Sequence, residues 1–132
     1  MPAVARFTLI PLAVLLTFAA LADGNGRSIA EGVYTEAQAA SGEALYGEHC
    51  LICHDKRYFR PVLQRWNGQP LSMMYLIMSS SMPESNPASL SRDEYTDILA
   101  YILSLSRYPS GDTPLSTEDD ALEHVMVAPR QR

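Results

Sequence analysis

Apolar positions along this chain fall into four blocks of different character. Residues 7–21 are apolar almost without interruption. Over residues 36–48, apolar residues mix with small and polar ones, and Gly42 stands four residues before Tyr46. That spacing puts the pair on one face of a helix. Residues 69–78 form a compact apolar run, with Pro70 suited to a first helical turn. Finally Tyr95, Ile98, Leu99, Ile102 and Leu103 recur every three or four residues, the stripe of an amphipathic helix. Capping signals fix the starts of two of these helices. Thr35 with Gln38 predicts a helix from Glu36 to about Glu48, and Ser91 with Glu94 predicts one ending near Ser106. The reading is all-α, without a sheet. Gly42 costs a helix interior about 1 kcal/mol relative to alanine. Either that cost is tolerated, or the missing side chain lets another helix cross closely.

The first block reads as an export signal. Residues 1–6 carry one positive charge, the run at 7–21 follows, and Ala20-Leu21-Ala22 offers a cleavage site before Asp23. The run is shorter than the roughly 20 apolar residues that span a bilayer, and Pro11 interrupts it. No cysteine follows it to carry a lipid. Residues 23–34 read as a flexible, glycine-bearing lead-in, 35–106 as the domain, and 107–132 as an extension packing on it. In the extension, a short helix near 117–125 would turn Leu122 and Val125 inward, and the end from Pro129 to Arg132 would fray. Glu118, Asp119 and Asp120 suit that helix's N-terminus rather than a metal. Residues 23–132 hold nine Lys and Arg against fifteen Asp and Glu, a net −6. This argues against nucleic acid. Lys56 is the single lysine, so a docking ring of lysines is excluded.

Between the predicted helices stands Cys50-Leu51-Ile52-Cys53-His54, a C-x-x-C-H pentapeptide. Two thiols at this spacing can add to the two vinyl groups of one porphyrin, and the histidine that follows falls under the iron. A redox dithiol and half of a zinc site share the C-x-x-C portion. Zinc lacks a second cysteine pair, and the dithiol lacks its βαβ context. One covalent haem c is the reading, and it leaves no thiol for a disulfide. A porphyrin would also supply apolar mass that so small a domain lacks. For the second axial position there are four methionines. Met73, Met74 and Met78 belong to a helical apolar pattern, where methionine fills a core. Met82 precedes Pro83, which forces it extended on a loop, and it is the expected ligand. His49 reads as a helix-end surface residue rather than a ligand, and His124 as structural.

Taken together, Cys50–His54, the Met82-Pro83 loop and the helix from Leu90-Ser91 through Leu103 resemble a class I monohaem cytochrome c over residues 35–106. A narrower resemblance adds residues 66–71 and 108–115, which look like the small periplasmic cytochromes associated with PQQ-dependent alcohol dehydrogenases. The resemblance implies a monomeric periplasmic electron carrier, not an enzyme, with haem ligated by His54 and Met82. It implies crossed terminal helices, with Gly42 and Tyr46 meeting Ile98 and Tyr101. A periplasmic dehydrogenase would donate the electron and a terminal oxidase accept it. One departure stands out. Relatives carry a glycine soon after the haem histidine and a proline carbonyl that accepts a hydrogen bond from its Nδ1. Residues 55–61 are shorter and lack glycine, leaving Pro61 to supply that carbonyl. Arg57, Arg60 and Arg65 are either partners of the haem propionates or an ordinary solvated patch. Trp66 is either a propionate donor or a pocket wall. Two other functions stay open: a fixed haem subunit of a dehydrogenase complex, or a five-coordinate gas sensor or peroxidase if Met82 does not ligate.

Overall fold

A computed structural model describes residues 26–130, so the export signal expected at 1–22 lies outside the described residues. Among the described residues there are four α-helices: α1 (Glu36–His49), α2 (Phe59–Arg65), α3 (Leu71–Ser81) and α4 (Arg92–Leu105). At the start of α1, Thr35 Oγ1 accepts the Gln38 N–H at 3.1 Å. The return half of that capping box is not made. The Gln38 amide instead brackets Leu115, donating to its carbonyl at 2.9 Å and accepting its N–H at 2.8 Å. α4 has the complete box, with Glu94 accepting the Ser91 N–H at 2.7 Å. Caps of this kind each contribute about 1 kcal/mol.

α4 is the centre of the core. Tyr95, Thr96 and every residue from Ile98 to Leu103 are buried, and α1 crosses it at Gly42. A Cβ on Gly42 would overlap the Asp97 carbonyl, so the missing side chain is what lets the backbones approach. One turn further along α1, Tyr46 is fully buried, its ring edge-on to Tyr101 at 5.4 Å and to Phe59 at 6.2 Å. The crossing expected from the sequence is therefore present.

α4 ends without a glycine. Arg107 takes φ 64°, in the left-handed region, while the Tyr108 N–H returns to the Leu103 carbonyl at 3.1 Å. That closure satisfies an orphan carbonyl but strains an L-residue by roughly 1 kcal/mol. Arg107→Gly is expected to raise unfolding free energy by about 0.5–1 kcal/mol, measured by urea denaturation.

Three features differ from the sequence reading. Phe59–Arg65 form a helix, α2, where the sequence reading assigned no element. The lead-in is ordered from residue 26. A 3-10 turn at Ile29–Glu31, with its own capping box, buries Ile29 completely, and Val33 and Tyr34 follow it into the core. A minimal sheet also exists: β1 (Arg27–Ser28) pairs in parallel with β2 (Val125–Met126). Just before β2, a 3-10 turn at Glu118–His124 buries Leu122, and Val125 and Val127 are buried in the tail. The Val127 carbonyl accepts the Gly68 N–H at 2.8 Å, and its N–H donates to Gln69 at 2.9 Å. These bonds hold the tail against the turn that leads into α3.

Candidate functional site: a haem pocket between α2, α3 and α4

The C-x-x-C-H segment leaves α1 through a tight turn. N–H groups of Cys50 and Leu51 both reach the Tyr46 carbonyl at 2.9 Å, and those of Cys53 and His54 return to Cys50 at 3.1 and 2.9 Å. Neither cysteine is in a disulfide; Cys50 is half-buried and Cys53 exposed. Burial pushes the Cys50 thiol above its ordinary pKa. The His54 ring lies 4.3 Å from Tyr58 and 5.6 Å from Phe59, between centroids. Its Nδ1 is buried without a hydrogen-bond partner.

Pro61 therefore does not supply the bond expected of it. It lies in the first turn of α2, and a helical carbonyl points along the axis toward the residue four ahead. Besides its N–H bond to Cys50, the His54 backbone is held by Tyr46, whose hydroxyl donates to the His54 carbonyl at 2.8 Å and to that of Asp55 at 3.3 Å. Burial raises the Tyr46 phenol to about 12, so it remains a donor.

On the opposite wall, α3 ends at Ser81 and is followed by Met82, whose backbone is extended at φ −122°, ψ 152°. Proline at 83 demands that conformation. The Met82 carbonyl accepts the Tyr95 hydroxyl at 2.6 Å. Between the two walls lie two adjoining cavities of about 120 and 150 Å³. His54, Phe59, Met78, Met82 and Ile102 line both of them; Cys50 and Cys53 line the first, and Trp66 the second. An apolar slot with two free thiols at one edge, a histidine with an orphaned ring nitrogen and a facing thioether fits a covalently held porphyrin. Cys50 and Cys53 would attach it; His54 and Met82 would close the two faces of its iron.

Not every expected residue joins the site. Arg57 is turned to solvent, 3.9 Å from Asp55, and none of Arg57, Arg60 and Arg65 lines either cavity. Arg60 instead borders a larger cleft of about 330 Å³ behind α2, with Ser106, Tyr108 and Arg130. Met73 is 43% exposed rather than a core filler, whereas Met74 is buried. His49, taken for a surface residue, borders the first cavity. The sequence reading set Met78 aside as a core filler and gave Phe59 and Tyr58 no place in the pocket, yet all three line it. Met78 precedes Met82 by four, one helical turn, and that spacing was the available signal.

A polar cluster ties the motif to the helix crossing from outside. Lys56 Nζ donates to Glu43 at 3.1 Å, Tyr101 donates to the same carboxylate at 3.0 Å, and the ammonium lies 5.8 Å from the Tyr101 ring centre. The bonds from Lys56 and Tyr101 hold the Glu43 carboxyl below its ordinary pKa. A depressed carboxylate adds stability above its unfolded pKa, and that stability is lost as pH falls through the folded value. The melting-temperature gap between wild type and Glu43→Gln should therefore be open at neutral pH and close below about pH 4, as read by thermal melts across that range.

Residues 37–102 match the sequence profile of the family described as cytochrome c oxidase, cbb3-type, subunit III. The chain belongs to this family. It is a cytochrome c, and the family's covalent haem c agrees with Cys50 and Cys53 at their C-x-x-C spacing. The cytochrome is also 30% identical over 95 residues to the cytochrome bc1 complex cytochrome c subunit of Corynebacterium diphtheriae. The match covers 65% of the chain but 34% of that relative, so the cytochrome spans about a third of its length. No solved structure matches. Among the described residues, no helix is long and apolar enough to cross a membrane.

Proposed function

We propose that this cytochrome is an exported one-electron carrier whose haem c is attached through Cys50 and Cys53 and ligated axially by His54 and Met82. The observation that carries the reading is the shared lining: a histidine from the attachment loop and a methionine from the end of α3 face one apolar slot. Bound there, the haem supplies a ferric–ferrous couple, and a thioether ligand raises its potential. The chain does the rest. His54 and Met82 would hold the haem iron from either side and so exclude small ligands. Phe59, Ile102 and Met78 keep water from the iron's surroundings, and Trp66 walls the far end. The tyrosine-anchored backbone limits movement between redox states.

Both relatives' names are those of subunits of larger cytochrome complexes. The family's description, which names an oxidase, favours a terminal oxidase as electron acceptor, reached through weak and transient docking. The quinoprotein dehydrogenase donor implied by the narrower sequence resemblance finds no support in either name. A second reading draws on the same names: the chain is a fixed haem subunit of such a complex. Mixing pre-reduced holoprotein with a cbb3-type oxidase tests the first reading. Reoxidation at a rate linear in oxidase concentration supports a diffusing carrier. Stable co-elution with the oxidase, at a fixed ratio and without free turnover, contradicts it and supports the subunit reading.

A further inference from the structure

Two buried tyrosines on the crossed helices make the same kind of bond to the two candidate ligand residues. Tyr46 of α1 donates its hydroxyl to the carbonyl of His54 at 2.8 Å. Tyr95 of α4 donates its hydroxyl to the carbonyl of Met82 at 2.6 Å. Both side chains are almost wholly buried, at 0% and 3% exposure. Neither phenol is free to turn elsewhere: Tyr46 is wedged between Phe59 and Tyr101, and Tyr95 stands edge-on to Tyr75 at 6.4 Å. The remaining supports of the two ligand residues are few. The His54 N–H donates to the Cys50 carbonyl at 2.9 Å, but its Nδ1 has no partner. Met82 follows the last turn of α3, held there by its N–H to the Met78 carbonyl at 3.0 Å, and the residues after it form turns, the Asn86 N–H reaching the Pro83 carbonyl at 2.9 Å.

We propose that Tyr46 and Tyr95 are positioning residues, each fixing one axial ligand of the haem by gripping that ligand's own backbone carbonyl. On this account the α1–α4 crossing does more than pack the core. The close approach at Gly42 sets the helix pair, and the helix pair sets the two arms that face each other across the slot. Tyr46 substitutes for the missing hydrogen bond to the imidazole, acting on the main chain rather than the ring. Tyr95 governs how readily the Met82 arm swings away. The inference rests on the His54–Met82 axial reading above.

The test uses holoprotein carrying Tyr46→Phe, Tyr95→Phe or Tyr101→Phe, each of which keeps the ring and loses the hydroxyl. Imidazole added to the ferric protein competes with Met82 for the iron. Tyr95→Phe should tighten imidazole binding about 2–10-fold, the effect of one buried hydrogen bond, while Tyr46→Phe leaves it within twofold. Tyr46→Phe should instead move the NMR shifts of the haem methyl groups, which report the orientation of the histidine plane. Tyr101→Phe loses its bond to Glu43 but grips neither ligand residue, so it should lower stability and move neither signal. Wild-type imidazole affinity in Tyr95→Phe, or unmoved methyl shifts in Tyr46→Phe, would overturn the proposal for that arm.

If a phenylalanine variant fails to mature with haem, 3-fluorotyrosine at the same position keeps a stronger donor. It should weaken imidazole binding at position 95 and shift the methyl signals at position 46. No change at either position refutes that arm equally. The wild-type spectrum separates this from the axial reading itself. Loss of the weak far-red band of a thioether-ligated ferric haem in wild type indicts Met82 as ligand; a normal band with indifferent variants indicts the tyrosines.

Discussion

Met82→Ala should convert a reduced protein indifferent to carbon monoxide into one that binds it stoichiometrically. Removing the side chain leaves the walls of the slot in place. Phe59, Met78 and Ile102 still line both cavities, and His54 still faces them. The fold should therefore hold while one axial position opens. The reduction potential should fall as well, because thioether ligation favours the ferrous state. Met78 provides an internal check. It also lines both cavities, but it sits within α3 rather than on the extended segment after it. Met78→Leu, close in volume, should leave carbon monoxide excluded and cost less than about 1.5 kcal/mol of stability. Optical titration of the reduced variants with carbon monoxide reads both outcomes. Binding by Met78→Leu and not by Met82→Ala would reverse the assignment.

The second large effect concerns Gly42. If this glycine were merely tolerated in α1, alanine would stabilise the helix by about 1 kcal/mol. The structure predicts the opposite sign. An added Cβ meets the Asp97 carbonyl oxygen and carbon, both backbone atoms that cannot rotate away. Overpacking of this kind costs about 1–3 kcal/mol, and rigid neighbours place Gly42→Ala at the upper end. A net loss of about 2 kcal/mol should lower the melting temperature of this small domain by roughly 10 °C. A melting temperature equal to or above wild type would show that the crossing is looser than described.

Much of this was legible in the sequence, because the signals were local. Capping pairs at Thr35–Gln38 and Ser91–Glu94 and the 3–4 periodicity of Tyr95–Leu103 placed α1 and α4 to within a residue or two. The attachment pentapeptide is contiguous, and Met82 was singled out because a following proline constrains its backbone. What was missed depends on long-range contacts. α2 has no side-chain cap and carries Pro61 in its first turn, so nothing local announced it. Once residues 59–65 are helical, the Pro61 carbonyl follows the helix and cannot serve His54. The ordered lead-in is stabilised by the tail almost a hundred residues later, through the Arg27–Val125 pairing. The arginines near the motif looked like propionate partners by proximity in sequence; the α2 surface turns Arg60 to the other side. The tyrosine grips on His54 and Met82 join residues 8 and 13 apart in sequence, and a bond from a phenol to a carbonyl leaves no motif.

The most direct test of the central claim is an optical spectrum of the wild-type holoprotein, oxidised, reduced, and reduced under carbon monoxide. The account predicts a low-spin haem, the weak far-red band of methionine ligation in the ferric form, and a ferrous spectrum that carbon monoxide does not alter. A missing far-red band together with carbon monoxide binding would mean an open iron. It would contradict the electron-carrier account and put gas sensing or peroxide chemistry in its place.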